Sequence, residues 1–213
     1  MEIQISTSSV KLKGELSLAE NTIGIVIFSH GSGSSRFSPR NMLIAEILQK
    51  NRISTLLFDL LTVKEDSVYE NRFDIDLLTN RLIETTNSIM INPLTRNLPI
   101  AYFGASTGAA SALKAAAFFG KKIQAVVCRG GRPDLAFNDL HLVKAPVLLI
   151  VGQLDEPVIE LNKRALDQLN STKELIIVPG ATHLFEESRK LEKVAELSIQ
   201  WYQKYFKAQL KVE

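Results

Sequence analysis

Short runs of apolar residues, rich in valine, isoleucine and leucine, recur along the chain and are separated by longer segments of mixed polarity. Uninterrupted apolar runs of this length are typical of strands buried in a parallel sheet. The runs lie at Ile23–Ser29, Thr55–Leu60, Ile100–Gly104, Ile123–Cys128, Val147–Gly152 and Leu175–Pro179. They predict the inner strands of one sheet.

Between these runs the apolar residues recur at the spacing of an amphipathic helix, as at Leu43–Leu48 and Ile75–Ile89. A last helix is predicted over Glu187–Phe206, where an apolar stripe faces away from lysines and glutamates. The first twenty residues instead alternate apolar and polar, as an antiparallel hairpin at a sheet edge does. Strands and helices in alternation predict an α/β fold.

Composition narrows the functional classes. Hydrophobic residues are 46% of the 213 and charged residues 23%, which excludes a disordered chain. No linker-like segment divides the sequence, so residues 1–213 are expected to form a single domain. The formal charge is only +2 and the charges are interspersed, so nucleic acid is not an expected partner. No membrane-spanning or signal-like apolar segment is found in the sequence. A membrane is therefore not an expected partner, and a cytoplasmic location is the expectation.

Cysteine and histidine content gives no indication of a metal site. Cys128 is the only cysteine, which rules out an intrachain disulfide and a cysteine metal cluster. We therefore expect no metal and no organic cofactor. Cys128 itself is expected to be a buried bystander.

The run Gly104-Ala105-Ser106-Thr107-Gly108 lies between a predicted strand and an alanine-rich helical segment beginning at Ala109. Glycines two residues either side of a serine allow a sharp turn that exposes the hydroxyl, which is the nucleophile elbow of serine hydrolases. The amides that open the following helix, including that of Thr107, could then stabilise an oxyanion. A glycine-rich turn without chemistry is the alternative.

Two later residues complete a catalytic triad if Ser106 is a nucleophile. Asp155 follows the strand that ends at Gly152, and His183 follows the strand that ends near Pro179. Carboxyl ends of parallel strands share one edge of the sheet, so these side chains and Ser106 are predicted to meet there. The chain order Ser106, Asp155, His183 is the order used in this kind of fold. Taken singly, Asp155 could be a helix cap and His183 structural.

The loop His30-Gly31-Ser32-Gly33-Ser34 follows another predicted strand. In such enzymes a loop at this position supplies a second oxyanion donor, for which the amides of Gly31 and Ser32 are candidates. A flexible turn or a phosphate-binding nest is the alternative, although the Gly-Lys-Ser ending of a nucleotide-binding loop is missing. His30 is a candidate substrate contact or a residue that orients the loop by hydrogen bonding.

Three arginines are candidates for binding an anionic substrate. Arg36, Arg129 and Arg132 follow predicted strands, and guanidinium groups bind carboxylates and phosphates through paired hydrogen bonds. The alternative is that they form salt bridges to Asp59 or Asp134 that pin the loops together.

The motifs HGSGS, LLFDLLT, GASTGAA, RGGRPDL, VGQLD and GATHLFEE together resemble the dienelactone hydrolase branch of the α/β-hydrolases. They are especially similar to small dienelactone hydrolase-like proteins, some of which are fused to a phosphoribosyltransferase-like domain. The resemblance implies an eight-stranded, mostly parallel sheet in the order 1-2-4-3-5-6-7-8, helices on both faces and no or only a minimal cap. True dienelactone hydrolases carry cysteine at the elbow, where this chain has Ser106.

The sequence therefore predicts a serine hydrolase that cleaves a small ester, including an anionic one, through an acyl-enzyme intermediate. The alternative is an α/β-hydrolase-fold protein without catalysis, which binds a small molecule or partners a phosphoribosyltransferase. The oligomeric state is left open by these patterns.

Overall fold

The protein forms one eight-stranded sheet in the order β1-β2-β4-β3-β5-β6-β7-β8, seen in a computed structural model that describes residues 1–209. The strands are β1 (Glu2–Ser6), β2 (Lys11–Ser17), β3 (Ile25–Ser29), β4 (Ser54–Phe58), β5 (Ile100–Ala105), β6 (Ile123–Arg129), β7 (Val147–Gly152) and β8 (Lys173–Val178). The predicted order and number of strands are confirmed.

Only the first two strands run antiparallel to their neighbours. β1 pairs with β2, and β2 pairs with β4, in antiparallel register, whereas β4-β3-β5-β6-β7-β8 are all parallel. β3, β4, β5 and β7 are buried at every position, which is why their sequences are continuous apolar runs. β8 begins at Lys173 rather than Leu175, because its first two residues are exposed on an edge strand that needs no apolar side chain there.

Residues 1–209 contain six α-helices. They are α1 (Pro39–Lys50), α2 (Val63–Asp66), α3 (Ile75–Ile91), α4 (Gly108–Phe119), α5 (Glu156–Gln168) and α6 (Lys190–Gln209). All of them except the short α2 pack on one of the two faces of the sheet. α1 and α6 share a hydrophobic cluster with one face, and α3, α4 and α5 share a cluster with the other. The carboxyl edge of the parallel strands lies between these layers, so it is where loops from both faces converge.

The segment between β6 and β7 determines whether a lid covers the carboxyl edge of the sheet. It contains one 3-10 helix, Pro133–Leu142, that packs on α4 and α5. No helical lid is inserted in this segment, as the sequence predicted. Within the part of the chain that the structure describes, none of the helices is long and apolar enough to cross a membrane.

Candidate active site

Ser106 occupies a strained turn between β5 and α4. Its φ of +52° lies in the left-handed region, which non-glycine residues rarely adopt. The flanking glycines are there because no Cβ fits. A Cβ on Gly104 would lie 2.5 Å from the Cα of Ala109, and one on Gly108 would lie 2.2 Å from the carbonyl oxygen of Ser29. The elbow geometry predicted from the five residues is therefore present.

His183 and Asp155 meet at the same edge of the sheet. The Nδ1 atom of His183 lies 2.6 Å from Oδ2 of Asp155, a short hydrogen bond between a ring and a carboxylate. The Asp155 side chain is 13% exposed and that of His183 is 38% exposed. The carboxylate thus holds Nδ1, and the described residues include no hydrogen-bond partner for the Nε2 atom of His183.

Close backbone packing holds the two loops together. Gly152 ends β7 against the carbonyl of Ala181, where a Cβ would approach to 2.4 Å, and the amide of Leu154 donates to that same carbonyl at 2.9 Å. Phe185 is fully buried with a φ of +59°, which anchors the loop beyond His183. The positions of the acid and the histidine are consequently fixed by main-chain contacts.

Ser106 and His183 both line a cavity of 200 Å³ at this edge. The hydrogen bonds of the described residues do not include one between the Ser106 hydroxyl and the His183 ring. In catalytic serine–histidine pairs that bond is often long without substrate and tightens only in the complex. The cavity is where a reacting group would meet both side chains.

Two backbone amides near Ser106 are free to bind an oxyanion. Among residues 1–209 no acceptor is found for the N–H of Gly31 or for that of Thr107. The amide of Ser32 differs, because it donates to Oγ1 of Thr107 at 2.8 Å. The geometry thus favours Gly31 and Thr107 as donors. Ser32 instead ties the loop after β3 to the elbow.

His30 uses both ring nitrogens within the protein. Nδ1 lies 3.0 Å from the carbonyl oxygen of Gly31, and Nε2 accepts the amide of Leu60 at 3.1 Å. Burial lowers the pKa of His30, against the opposing effect of the Gly31 hydrogen bond and of the carboxylates of Asp59 and Asp66. These contacts favour the loop-orienting role over a substrate contact.

Arg36 and Arg132 form the salt bridges that the sequence left open as the alternative. Arg36 pairs with the carboxylate of Asp59 through both its side chain and its backbone amide. Arg132 holds Asp134 through two parallel hydrogen bonds of 2.9 and 2.8 Å. Neither guanidinium lines the cavity that contains Ser106.

Arg129 is the predicted arginine that reaches this cavity. It ends β6, is 7% exposed, and its backbone carbonyl accepts the amide of Ser106 at 3.2 Å. The same cavity is lined by Arg40 and Asn41 from the first turn of α1, which the sequence analysis did not single out. The sequence pattern that could have identified them is Ser38 followed by Pro39. This pair marks the start of a helix and places Arg40 and Asn41 in its first turn.

An eight-stranded sheet of this order, with an elbow after β5, an acid after β7 and a histidine after β8, defines an α/β-hydrolase fold. The model of the dienelactone hydrolase family matches residues 46–210. The chain belongs to that family.

Solved structures agree with the assignment. A dienelactone hydrolase from Anabaena variabilis is 51% identical and superposes with a TM-score of 0.94 over 96% of this chain and 97% of its own. An esterase of Pyrococcus furiosus, at 20% identity, has a TM-score of 0.78 over 97% of this chain and 91% of its own, which shows a shared fold.

Curated relatives are longer than this chain. Proteins from two strains of Mycobacterium tuberculosis, each provisionally named a phosphoribosyl transferase, are 51% identical over 201 residues. That match covers 94% of this chain but 45% of theirs, so the chain spans less than half of their length.

Proposed function

We propose that the protein is a serine hydrolase that cleaves small esters with Ser106 as nucleophile, His183 as base and Asp155 as the residue that orients His183. The observation that carries the proposal is the arrangement around one cavity: a strained, partly exposed serine, a histidine, and a carboxylate 2.6 Å behind that histidine. Family membership and esterase neighbours support the same class of reaction.

The first half of the reaction is acyl transfer to Ser106. The Ser106 oxygen forms a bond to the ester carbonyl carbon while its proton moves to the free ring nitrogen of His183. Asp155 accepts the hydrogen bond from Nδ1–H and stabilises the imidazolium. The carbonyl electron pair moves to oxygen, which accepts hydrogen bonds from the amides of Gly31 and Thr107. Collapse of this intermediate breaks the bond to the alcohol, which leaves with the proton from His183.

The second half returns the enzyme to its starting state. A water molecule gives a proton to His183 and its oxygen attacks the acyl carbon. The bond to Ser106 then breaks and Ser106 takes the proton back. The products are a carboxylic acid and an alcohol, so no redox partner is required.

The test combines labelling with kinetics. A fluorophosphonate probe should label the wild-type protein at Ser106, and Ser106→Ala should abolish labelling and lower kcat/KM for a short-chain ester by about 10⁴-fold or more. Ser67→Ala is the matched control, because Ser67 is an exposed residue at the end of α2 that does not line the cavity, and it should behave as wild type. A folded protein that neither reacts with the probe nor hydrolyses any ester of a graded series would instead be a non-catalytic binding protein.

A further inference from the structure

The side chain of Thr107 does not cap the helix that follows it. Thr107 is the N-cap residue of α4, a position at which a threonine hydroxyl usually accepts the amide two or three residues further on. No such bond forms in this helix. The Oγ1 atom instead accepts the amide of Ser32, 75 positions earlier in the chain, at 2.8 Å, and the Thr107 residue is only 5% exposed. The hydroxyl therefore holds a distant loop rather than its own helix.

The loop that Thr107 holds has few other anchors. Ser32 is flanked by Gly31 and Gly33, and glycine leaves the backbone free to adopt many conformations. Gly33 is exposed with a φ of +67°, and a Cβ placed on it would meet only the tip of Arg72, at 4.0 Å. In the described part of the chain, no other hydrogen bond joins these three loop residues to the elbow. The bond to Thr107 therefore limits how far the loop can move away.

Gly31 lies directly against the elbow. A Cβ on Gly31 would lie 3.1 Å from the Cβ of Ser106. The peptide group that joins Gly31 to Ser32 is held at both of its polar atoms: His30 Nδ1 lies 3.0 Å from the carbonyl oxygen, and the N–H donates to Thr107. Since this peptide group is fixed, the direction of the preceding Gly31 amide, which we assign as an oxyanion donor, is restricted as well.

We propose that the Thr107 hydroxyl positions the oxyanion hole, by holding the amide of Ser32 so that the amide of Gly31 points at the developing oxyanion. This inference rests on the proposed hydrolase function. Thr107 then serves both donors, because it supplies one from its own backbone and places the other through its side chain. Donors stabilise a developing charge only if they are already in place, and a displacement of about 1 Å can cost about 100-fold in rate.

Removing the hydroxyl without changing the shape of the side chain tests the proposal. Thr107→Val leaves the amide of Ser32 without its acceptor, so kcat for ethyl butyrate should fall by about 10- to 100-fold while KM changes by less than about threefold. Thr107→Ser keeps the hydroxyl and should restore most of the lost kcat. A valine variant with the kcat of wild type, or a serine variant as slow as the valine variant, overturns the proposal.

Thr86→Val is the matched control for the loss of a buried hydroxyl. Thr86 lies on α3, is fully buried, shares a hydrogen bond of 2.8 Å with the hydroxyl of Tyr102, and does not line the cavity that contains Ser106. The substitution leaves the Tyr102 hydroxyl unpaired, so it should lower Tm at least as much as Thr107→Val does, and it should keep the kcat of wild type. Equal losses of kcat in the two variants would reflect destabilisation alone and overturn the positioning role.

A transition-state analogue measures the oxyanion hole directly. The carbonyl carbon of trifluoromethyl propyl ketone forms a bond to the Ser106 oxygen, whose proton moves to His183, and the carbonyl electron pair moves to an oxygen placed like the oxyanion of ethyl butyrate. The Ki of this ketone should rise in Thr107→Val by the factor by which kcat/KM falls. Unfolded enzyme in a sample lowers kcat but does not change Ki, so an unchanged Ki overturns the proposal.

Amide hydrogen exchange separates this inference from the hydrolase proposal, because it requires no turnover. The Ser32 amide, followed by NMR, should exchange up to about 10-fold faster in Thr107→Val than in wild type, and at the rate of wild type in Thr86→Val. Equal exchange in Thr107→Val and wild type overturns the anchoring role even if esters are hydrolysed. A wild-type protein that hydrolyses no ester but shows this difference rejects the hydrolase proposal and supports the anchor.

Discussion

At the scale of single residues, the site depends on polar groups held in unusual environments. Ser106 is in a left-handed conformation, Arg129 is buried without a partner, and His30 is buried with both nitrogens bonded to the backbone. Only His30 is fully satisfied within the protein. It fixes the position of the Gly31 carbonyl and thereby helps to place Gly31, whose own amide we propose as an oxyanion donor.

The buried state of His30 makes stability depend on pH. Because its pKa is lowered by burial, the unfolded chain takes up a proton below the ordinary value of 6.5 while folded His30 does not. The free energy of unfolding should therefore be fully present above pH 6.5 and fall as the pH drops towards the folded pKa, with a slope of up to about 1.4 kcal/mol per pH unit.

Urea denaturation at a series of pH values measures this slope. His30→Gln should remove its contribution between neutral pH and the carboxylate range. His141→Gln, which changes an exposed histidine, serves as the control and should keep the wild-type slope. Equal slopes in wild type and His30→Gln would show that His30 is not held neutral.

At the scale of secondary-structure elements, an ion pair between a buried arginine and a partly exposed glutamate connects the β1-β2 hairpin and α2 to α3. Arg81 of α3 is 5% exposed and donates to Glu65 at 2.6 Å and to the hydroxyl of Ser9 at 2.8 Å. Glu65 also closes a capping box with Thr62 at the start of α2. Burial of Glu65 opposes its ionisation, but hydrogen bonds from Thr62 and Arg81 outweigh this effect and lower its pKa.

Breaking this pair should destabilise the protein. Arg81→Met leaves Glu65 without its cation and should lower the free energy of unfolding by about 1–3 kcal/mol.

The contribution of Glu65 to the free energy of unfolding also depends on pH. It is present above the ordinary pKa of 4.5 and is lost as the pH falls from there through the lowered pKa of the folded protein. Chemical denaturation of a double-mutant cycle with Glu65→Gln measures the coupling. Lys163→Met is the control, because the Lys163–Glu160 pair is exposed and should contribute less than about 0.5 kcal/mol. A coupling near zero would contradict the role assigned to Arg81.

At the scale of the whole molecule, the carboxyl edge of the sheet concentrates groups that lower stability. The strained Ser106 and the unpaired Arg129 lie side by side, joined by a backbone hydrogen bond, whereas the two hydrophobic clusters beneath them are densely buried. Burial of apolar side chains in the core thus offsets the free-energy cost of Ser106 and Arg129 at the carboxyl edge of the sheet.

This arrangement predicts a trade-off between stability and activity. Ser106→Gly removes the left-handed strain, worth about 1 kcal/mol, and should raise Tm by about 2–4 °C while abolishing hydrolysis. Ser67→Gly is the control, since Ser67 has an ordinary φ of −68° and gains nothing from glycine. Thermal unfolding followed by calorimetry measures both. A lower Tm in Ser106→Gly would mean that contacts of the Ser106 side chain outweigh its backbone strain.

The sequence by itself determined the strands and the residues at their carboxyl ends, whereas the order of the strands was expected from the family resemblance. Buried parallel strands are continuous apolar runs, and a turn that has no room for a Cβ atom requires glycine. Both the strands and the turn can therefore be recognised from the residue types alone. The elbow at Ser106 and the positions of Asp155 and His183 followed from these local rules. Their proximity followed from the rule that parallel strands share a carboxyl edge.

Only the tertiary structure decided which of the charged and polar candidates are already paired. Arg36, Arg129 and Arg132 all follow strands, yet two find carboxylates nearby and one does not. The amide of Ser32 is likewise taken by the hydroxyl of Thr107, which lies 75 positions away in the chain. Hydrogen-bond satisfaction depends on the atoms that packing brings within about 3 Å, and no local pattern in the sequence encodes that distance.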